Sequence, residues 1–237
     1  MTILLRMLSK YLKLSFSQCG EDLIVAHLME ALQISKPTYL DIGAHHPSRL
    51  NNTYLFYLKG SRGVCVEPDP KLFAELKAKR KRDICLKIGI GFDERENADF
   101  YIMSSNSLST FSKEEADRYQ SYGHQRVLEV INTPLESINA VIEQYFKTAP
   151  HFISLDTEGL DLQILRSFDF SQYRPLVFCV ETLTYTEDKT EQKVTAIVDY
   201  MHQQSYLPIA DTYINTLFVD SETWKNRPSC PQGESTC

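Results

Sequence analysis

Four acids close apolar runs in this chain. Asp41 ends TYLD, Glu67 ends GVCVE, Asp156 ends FISLD and Glu181 ends PLVFCVE. A carboxylate set against apolar surface is costly unless it is paired or put to use, so such residues gather at functional sites. Two histidines, His45 and His46, follow the first acid, and Glu158 stands two places after the third. A hydroxyl that reacts must lose its proton to a base within hydrogen-bond reach. His45, His46, Asp156 and Glu158 are the candidates for that base. Both histidines have a plainer role open to them, as hydrogen-bond partners where a helix opens. Asp156 and Glu181 offer an alternative, since two strand-end carboxylates can share a divalent metal ion that lowers the proton affinity of a bound hydroxyl.

These residues act together only if the fold gathers the ends of the runs. Apolar runs of strand length alternate with segments of helical period through most of the chain. EDLIVAHLMEALQ sets Ile24, Leu28, Ala31 and Leu32 on one helical face. TYLDIG reads as a strand, SRLNNTYLFYLKG as a helix and GVCVEPDP as a strand. PKLFAELKAKRKR, opening on Pro, reads as a helix, and ICLKIGIG as the next strand. Farther on, SINAVIEQYF, LDLQILRSFDF and EQKVTAIVDYMHQQ read as helices, and HFISLDTEG and PLVFCVET as strands. LPIADTYINTLFVD reads as two short strands joined by a turn.

The pattern predicts an α/β domain with a doubly wound, mostly parallel sheet, covered on both faces and ending in an antiparallel strand. That domain is expected over 16–220, after an amphipathic helix over 1–15 and before a polar, disordered tail over 221–237. Residues 104–133 interrupt the alternation with Ser, Tyr and charge, and read as an insertion that closes over the site as a lid. Within it Ser107, Ser109 and Thr110, with Tyr119 and Tyr122, offer hydroxyls and rings to a polyol substrate. Ser112 and Glu115 have the spacing of a capping box. NNTY (Asn51 to Tyr54) reads as helix surface or as polar contacts at the mouth of a ligand site.

In a doubly wound sheet ligands bind beyond the carboxyl ends of the strands, beside the first. Glu67, at such an end, can accept hydrogen bonds from two ribose hydroxyls. The first turn narrows the choice of nucleotide. Dinucleotides need GxGxxG so that backbone can approach a diphosphate, whereas this turn runs Gly43-Ala44-His45-His46-Pro47. An acid at the strand end, Asp41, repels phosphate and suits a cation. S-adenosylmethionine carries no phosphate and has a sulfonium and an ammonium group, so electrostatics favour it over NAD.

DIGAHHP, CVEPDP, SLSTFS and SLDTEGLD, in this order, resemble the motifs of the FkbM-type methyltransferases, which use S-adenosylmethionine and have the Rossmann-like class I fold. FSQCGEDLIVAHL resembles the opening of the branch with a Ser-Gln-x-Gly-Glu-Asp segment. The likeness runs over roughly residues 16 to 220; the commoner family turn has a second glycine and an Asn where this chain has His45-His46-Pro47. The resemblance implies that Gly43, Ala44 and His45 admit the methionine part, with Asp41 nearby. It implies that Glu67 holds the ribose, that Pro68 and Asp69 shape the adenine wall, and that Gly91 or Phe92 lies at the adenine edge. Asp156, Glu158 and Gly159 would floor the site below the transferred methyl, and Gln18, Glu21 and Asp22 would close over the cofactor.

The net charge of −6 argues against a nucleic-acid-binding surface. The basic run KAKRKR, Lys77 to Arg82, reads as a solvated helix end beside its partial negative charge. The six cysteines form no CxxC pair, and Cys65, Cys85 and Cys179 lie in apolar runs as small hydrophobes. MTILLRMLSKYLKLSF lacks a cleavage site and is too charged to span a bilayer, although a helix over 1–15 can lie on one. A cytoplasmic location is expected. The expected activity is methylation of a hydroxyl on a sugar, glycosylated or polyketide acceptor. N-methylation and a non-catalytic binding module of the same fold are the alternatives.

Overall fold

The computed structural model describes residues 12–186 and 190–229. The chain runs through α1 (Glu21–Ala31), β1 (Tyr39–Ile42), α2 (Tyr54–Leu58), β2 (Gly63–Val66), α3 (Pro70–Lys79) and β3 (Ile84–Leu86). Next come β4 (Gly89–Gly91), β5 (Asn97–Met103), α4 (Lys113–Ser121), β6 (Val127–Ser137), α5 (Ile138–Tyr145) and β7 (Phe152–Leu155). It closes with α6 (Asp161–Ser167), β8 (Val177–Glu181), α7 (Thr195–Gln203), β9 (Tyr206–Asp211), β10 (Asn215–Asp220) and α8 (Ser221–Lys225). No helix of the described residues is long and apolar enough to cross a membrane.

Seven strands form the main sheet in the order β3-β2-β1-β7-β8-β10-β9, and β10 runs antiparallel to both its neighbours. This is the expected doubly wound α/β sheet. Alternate residues of each strand bury opposite faces. Leu40, Ile42, Val64, Val66, Ile153 and Leu155 enter one core, and Tyr39, Cys65, Phe152, Val177 and Cys179 enter the other. Register then sets up the site. Ile42 pairs with Val66 and Leu155, and Leu155 with Val180. The next residue on each strand is Gly43, Glu67, Asp156 or Glu181, so the four form one row along the carboxyl edge.

Several elements differ from the sequence expectation. ICLKIGIG is two strands: β3 stays in the main sheet, while β4 pairs with β6 in a separate sheet of order β4-β6-β5. The switch occurs where Gly89 packs against Phe111 and Leu135; a β-carbon there would lie 2.4 Å from the Phe111 ring. The insertion over 104–133 is largely ordered as α4 and the first part of β6, and β6 pairs with β5 along a long hairpin. Its strands escape sequence reading because Leu128 and Val130 are exposed, which blurs the apolar alternation. The helix over SRLNNTYLFYLKG shrinks to α2, because Asn51 and Thr53 are drawn into hydrogen bonds instead. Residues 221–225 are helical rather than part of a tail, with the Asp220 carboxylate accepting from the Thr223 backbone N–H at 2.9 Å. Residues 12–15 are exposed and irregular; the rest of the 1–15 helix and the end of the tail lie outside the described residues.

The largest departure is Arg80. The run KAKRKR is not simply a solvated helix end, because Arg80 is fully buried. A guanidinium has five N–H donors, and each has an acceptor here. Nε donates to Asp83 at 2.7 Å; one terminal nitrogen donates to the Pro47 carbonyl and Asn51, the other to the Tyr39 and Thr53 hydroxyl oxygens. Asn51 and Thr53 in turn donate to Asp41, and Asn51 to the Ala44 carbonyl. The buried cation thus ties the end of α3 to the whole turn after β1.

Candidate active site

A cavity of about 310 Å³ opens over the carboxyl edge of the sheet. Gly43 and His45 reach it from the first turn, Glu67 and Pro68 from the second, and Asp156, Glu158 and Glu181 from the third and fourth. Ile88, Ile90, Leu160 and Ile164 give it apolar lining. Gln18, Leu50, Tyr185 and Ile214 stand at its border, and Asn106 to Ser109 with Phe111 come from the former insertion.

Gly43 has φ +74°, and a β-carbon on it would lie 1.8 Å from the carbonyl oxygen of Asp156. Only glycine passes there. The close approach is therefore first to the neighbouring strand and secondarily to a ligand. Beside it Glu67 is almost wholly buried. One of its oxygens accepts from the His45 N–H and the other from the Asp69 N–H, both at 2.8 Å. Burial pushes its carboxyl up to about 8, against the pull of those two backbone donors, with Asp69 and Asp41 adding to the rise. Each oxygen keeps a lone pair for a ligand hydroxyl.

Asp156, Glu158 and Glu181 bring carboxylate oxygens within 4.8 Å of one another. Burial raises all three carboxyls. The charge of Asp161 adds to the rise at Asp156, where a hydrogen bond with Glu181 opposes it. Asp156 adds to the rise at Glu158, and Glu158 with Asp156 add to it at Glu181. Asp156 reaches about 7, and Asp161, buried behind them, about 6. Crowded acids of this kind have a raised affinity for protons in the empty site and welcome a cation, which favours their ionised form. Glu158 has a left-handed backbone, φ +53°, followed by Gly159 at +108°. The Tyr119 hydroxyl donates to its carboxylate at 3.1 Å and the Thr110 hydroxyl to its carbonyl at 2.9 Å.

The structure brings Gln18, Gly43, His45, Glu67, Pro68, Ser107, Ser109, Asp156, Glu158 and Glu181 to one cavity. It does not bring the other expected residues there. His46 lies outside, its Nδ1 accepting from the Ser48 and Arg49 N–H groups, so it closes the turn and is withdrawn as a base. Asp41 is buried beneath the turn, held by Asn51 and Thr53. Ala44 is buried, its N–H donating to Val66. Asp69 caps α3 by accepting from Lys71 and Leu72. Gly91 is paired with Ser137, leaving Gly89 and Ile90 at the cavity. Thr110 is buried behind Glu158.

Glu21 and Asp22 are also fully buried and committed elsewhere. Glu21 accepts from Thr212 and Asn215, and Asp22 from Ser15, Ser17 and the Phe16 N–H. Sequence reading missed Arg80, Tyr119 as the partner of Glu158, and the apolar wall. Only the apolar wall left a signal, in the first hydrophobic residues of α6 and of the strand after Leu86.

The sequence profile of the FkbM methyltransferase domain matches residues 41–208. No curated protein matches the chain. Among solved structures, TehB from Haemophilus influenzae is similar at 10% identity and TM-score 0.45, over 85% of this chain and 62% of TehB. Magnesium protoporphyrin IX methyltransferase (ChlM) from Synechocystis PCC 6803, solved with bound SAH, is similar at 8% identity and TM-score 0.45, over 84% of this chain and 80% of that one. Monomeric WbdD is similar at 10% identity and TM-score 0.47, over 86% of this chain and 41% of WbdD.

Proposed function

The chain belongs to the FkbM methyltransferase family, and from that premise we propose that it moves a methyl group from S-adenosylmethionine to a hydroxyl of a sugar-like or polyketide acceptor. One observation carries the reading: the register-matched row of Gly43, Glu67, Asp156 and Glu181 borders a cavity lined by apolar side chains and by three clustered carboxylates. An adenine suits the apolar lining and a sulfonium the carboxylates, with Glu67 placed to hold the ribose. The site has no glycine-rich cradle for a diphosphate. Bound there, S-adenosylmethionine supplies an electrophilic methyl group. The protein's own part is to align the acceptor oxygen with that carbon and to take its proton. Asp156, raised to about 7, and Glu158, whose affinity for a proton burial also raises, are suited to the second task.

Calorimetric titration tests the cofactor. The protein is expected to bind S-adenosylmethionine and its demethylated product but not NAD. Glu67→Ala should weaken both by about 100-fold, the loss expected for two hydrogen bonds to a charged group. A folded protein that binds neither compound refutes the reading. Labelled methyl transfer to neutral glycosides, compared with amino sugars, separates oxygen from nitrogen acceptors.

A second reading gives the three carboxylates to a divalent metal ion, supported by their 4.8 Å spacing. With the carboxylates acting as base, turnover is expected to be unchanged in excess chelator. Loss of turnover in chelator, restored by Mg²⁺, would instead favour the metal.

A further inference from the structure

Glu158 is the site carboxylate whose support comes from farthest along the chain. Asp156 and Glu181 sit at the ends of β7 and β8, held by the ladder. Glu158 lies past the strand in a left-handed conformation, and its carboxylate accepts from the Tyr119 hydroxyl, carried on α4. The Tyr119 ring is buried, fixed edge-on against Tyr185 and beside the Arg118 guanidinium. Arg118 is itself paired with Glu115 and donates to the Tyr185 carbonyl. Thr110 reaches the Glu158 carbonyl from the other side, and its own oxygen is oriented by the Ser112 N–H at 2.9 Å. A buried tyrosine hydroxyl wants one partner, and this one spends its proton on a carboxylate in the cavity wall.

We propose that Tyr119, with Thr110, is a positioning residue that aims the Glu158 carboxylate into the cavity, where it favours the sulfonium of S-adenosylmethionine over the neutral thioether of the demethylated product. The inference rests on the proposed cofactor reading and adds a specificity device to it. A negative charge held in a fixed place stabilises a cation and does nothing for a neutral sulfur, so the discrimination depends on where Glu158 points. The same device eases departure of the product, whose charge has gone.

The test is a double-mutant cycle read by calorimetry with S-adenosylmethionine and S-adenosylhomocysteine on the wild-type protein, Tyr119→Phe, Glu158→Gln and the double variant. No acceptor is needed. Tyr119→Phe is expected to lower the preference for the sulfonium compound by about fivefold or more, with affinity for the thioether held within about twofold, the loss of one charge-assisted hydrogen bond. Glu158→Gln should do likewise, and the double variant should lose nothing further. Thr110→Val gives an independent reading should Tyr119→Phe fail to fold. A preference unchanged in Tyr119→Phe, or lowered equally with and without Glu158, overturns the positioning role. Wild-type protein that binds neither compound overturns the cofactor reading beneath it, a result distinguishable from loss of coupling with binding intact.

Discussion

Arg80→Met is expected to destabilise the protein by about 3–5 kcal/mol, the range for removing one partner of a buried ion pair. For a chain of this size that corresponds to a fall of about 10 °C in melting temperature. The side chain is fully buried and all its donors are engaged. Its removal leaves Asp83 charged and buried without its cation, and strips one partner from Asn51, Thr53 and the Pro47 carbonyl. Those groups hold the turn between Gly43 and α2, so the variant should also lose affinity for S-adenosylmethionine, although Arg80 does not reach the cavity. Arg80→Lys restores the charge but not the fork, and should fall between the two. A melting temperature within 2 °C of wild type, read by calorimetry with about that resolution, would dismiss the clamp.

Raising the pH from 6.5 to 8.5 is expected to weaken the ligand-free fold and to strengthen S-adenosylmethionine binding. The sign follows from proton counts. The carboxyls of Glu67, at about 8, and Asp156, at about 7, keep protons in the folded state that an unfolded chain has already lost. Where the folded state holds more protons, stability falls as pH rises. For these two groups the fall ends above the Glu67 value, where both are deprotonated in either state. Below pH 6.5 the depressed histidines His45, His46 and His151 act in the opposite sense, so the window starts there. Glu67, 4% exposed, should alone contribute a loss of at least about 1.4 kcal/mol, the value of one pH unit on one group. A sulfonium favours the ionised carboxylates and so expels protons on binding, which a neutral thioether does not. Melting curves across the window, and titrations in buffers of different ionisation enthalpy, read both effects. A flat stability profile, or equal proton release by the two compounds, would rule the account out.

Periodicity within the sequence determined the alternation of strands and helices, the antiparallel last strand, and the acids that close the runs. Those features are local: a strand's face and its end are written in a few neighbouring residues, and parallel strands of similar length bring Glu67, Asp156 and Glu181 to one edge. Tertiary structure decided which of the polar residues meet the cavity. His46 and Asp41 sit in the same turn as Gly43, yet one is taken by backbone N–H groups and the other by Asn51 and Thr53. Arg80 looks like its basic neighbours until the fold sets Pro47, Asn51 and Tyr39 around it. Glu158 and Tyr119 are 39 residues apart and meet only because the fold packs α4, the helix between β5 and β6, against the loop after β7. A side chain's partner at such a distance depends on how elements pack, and no local spacing encodes it.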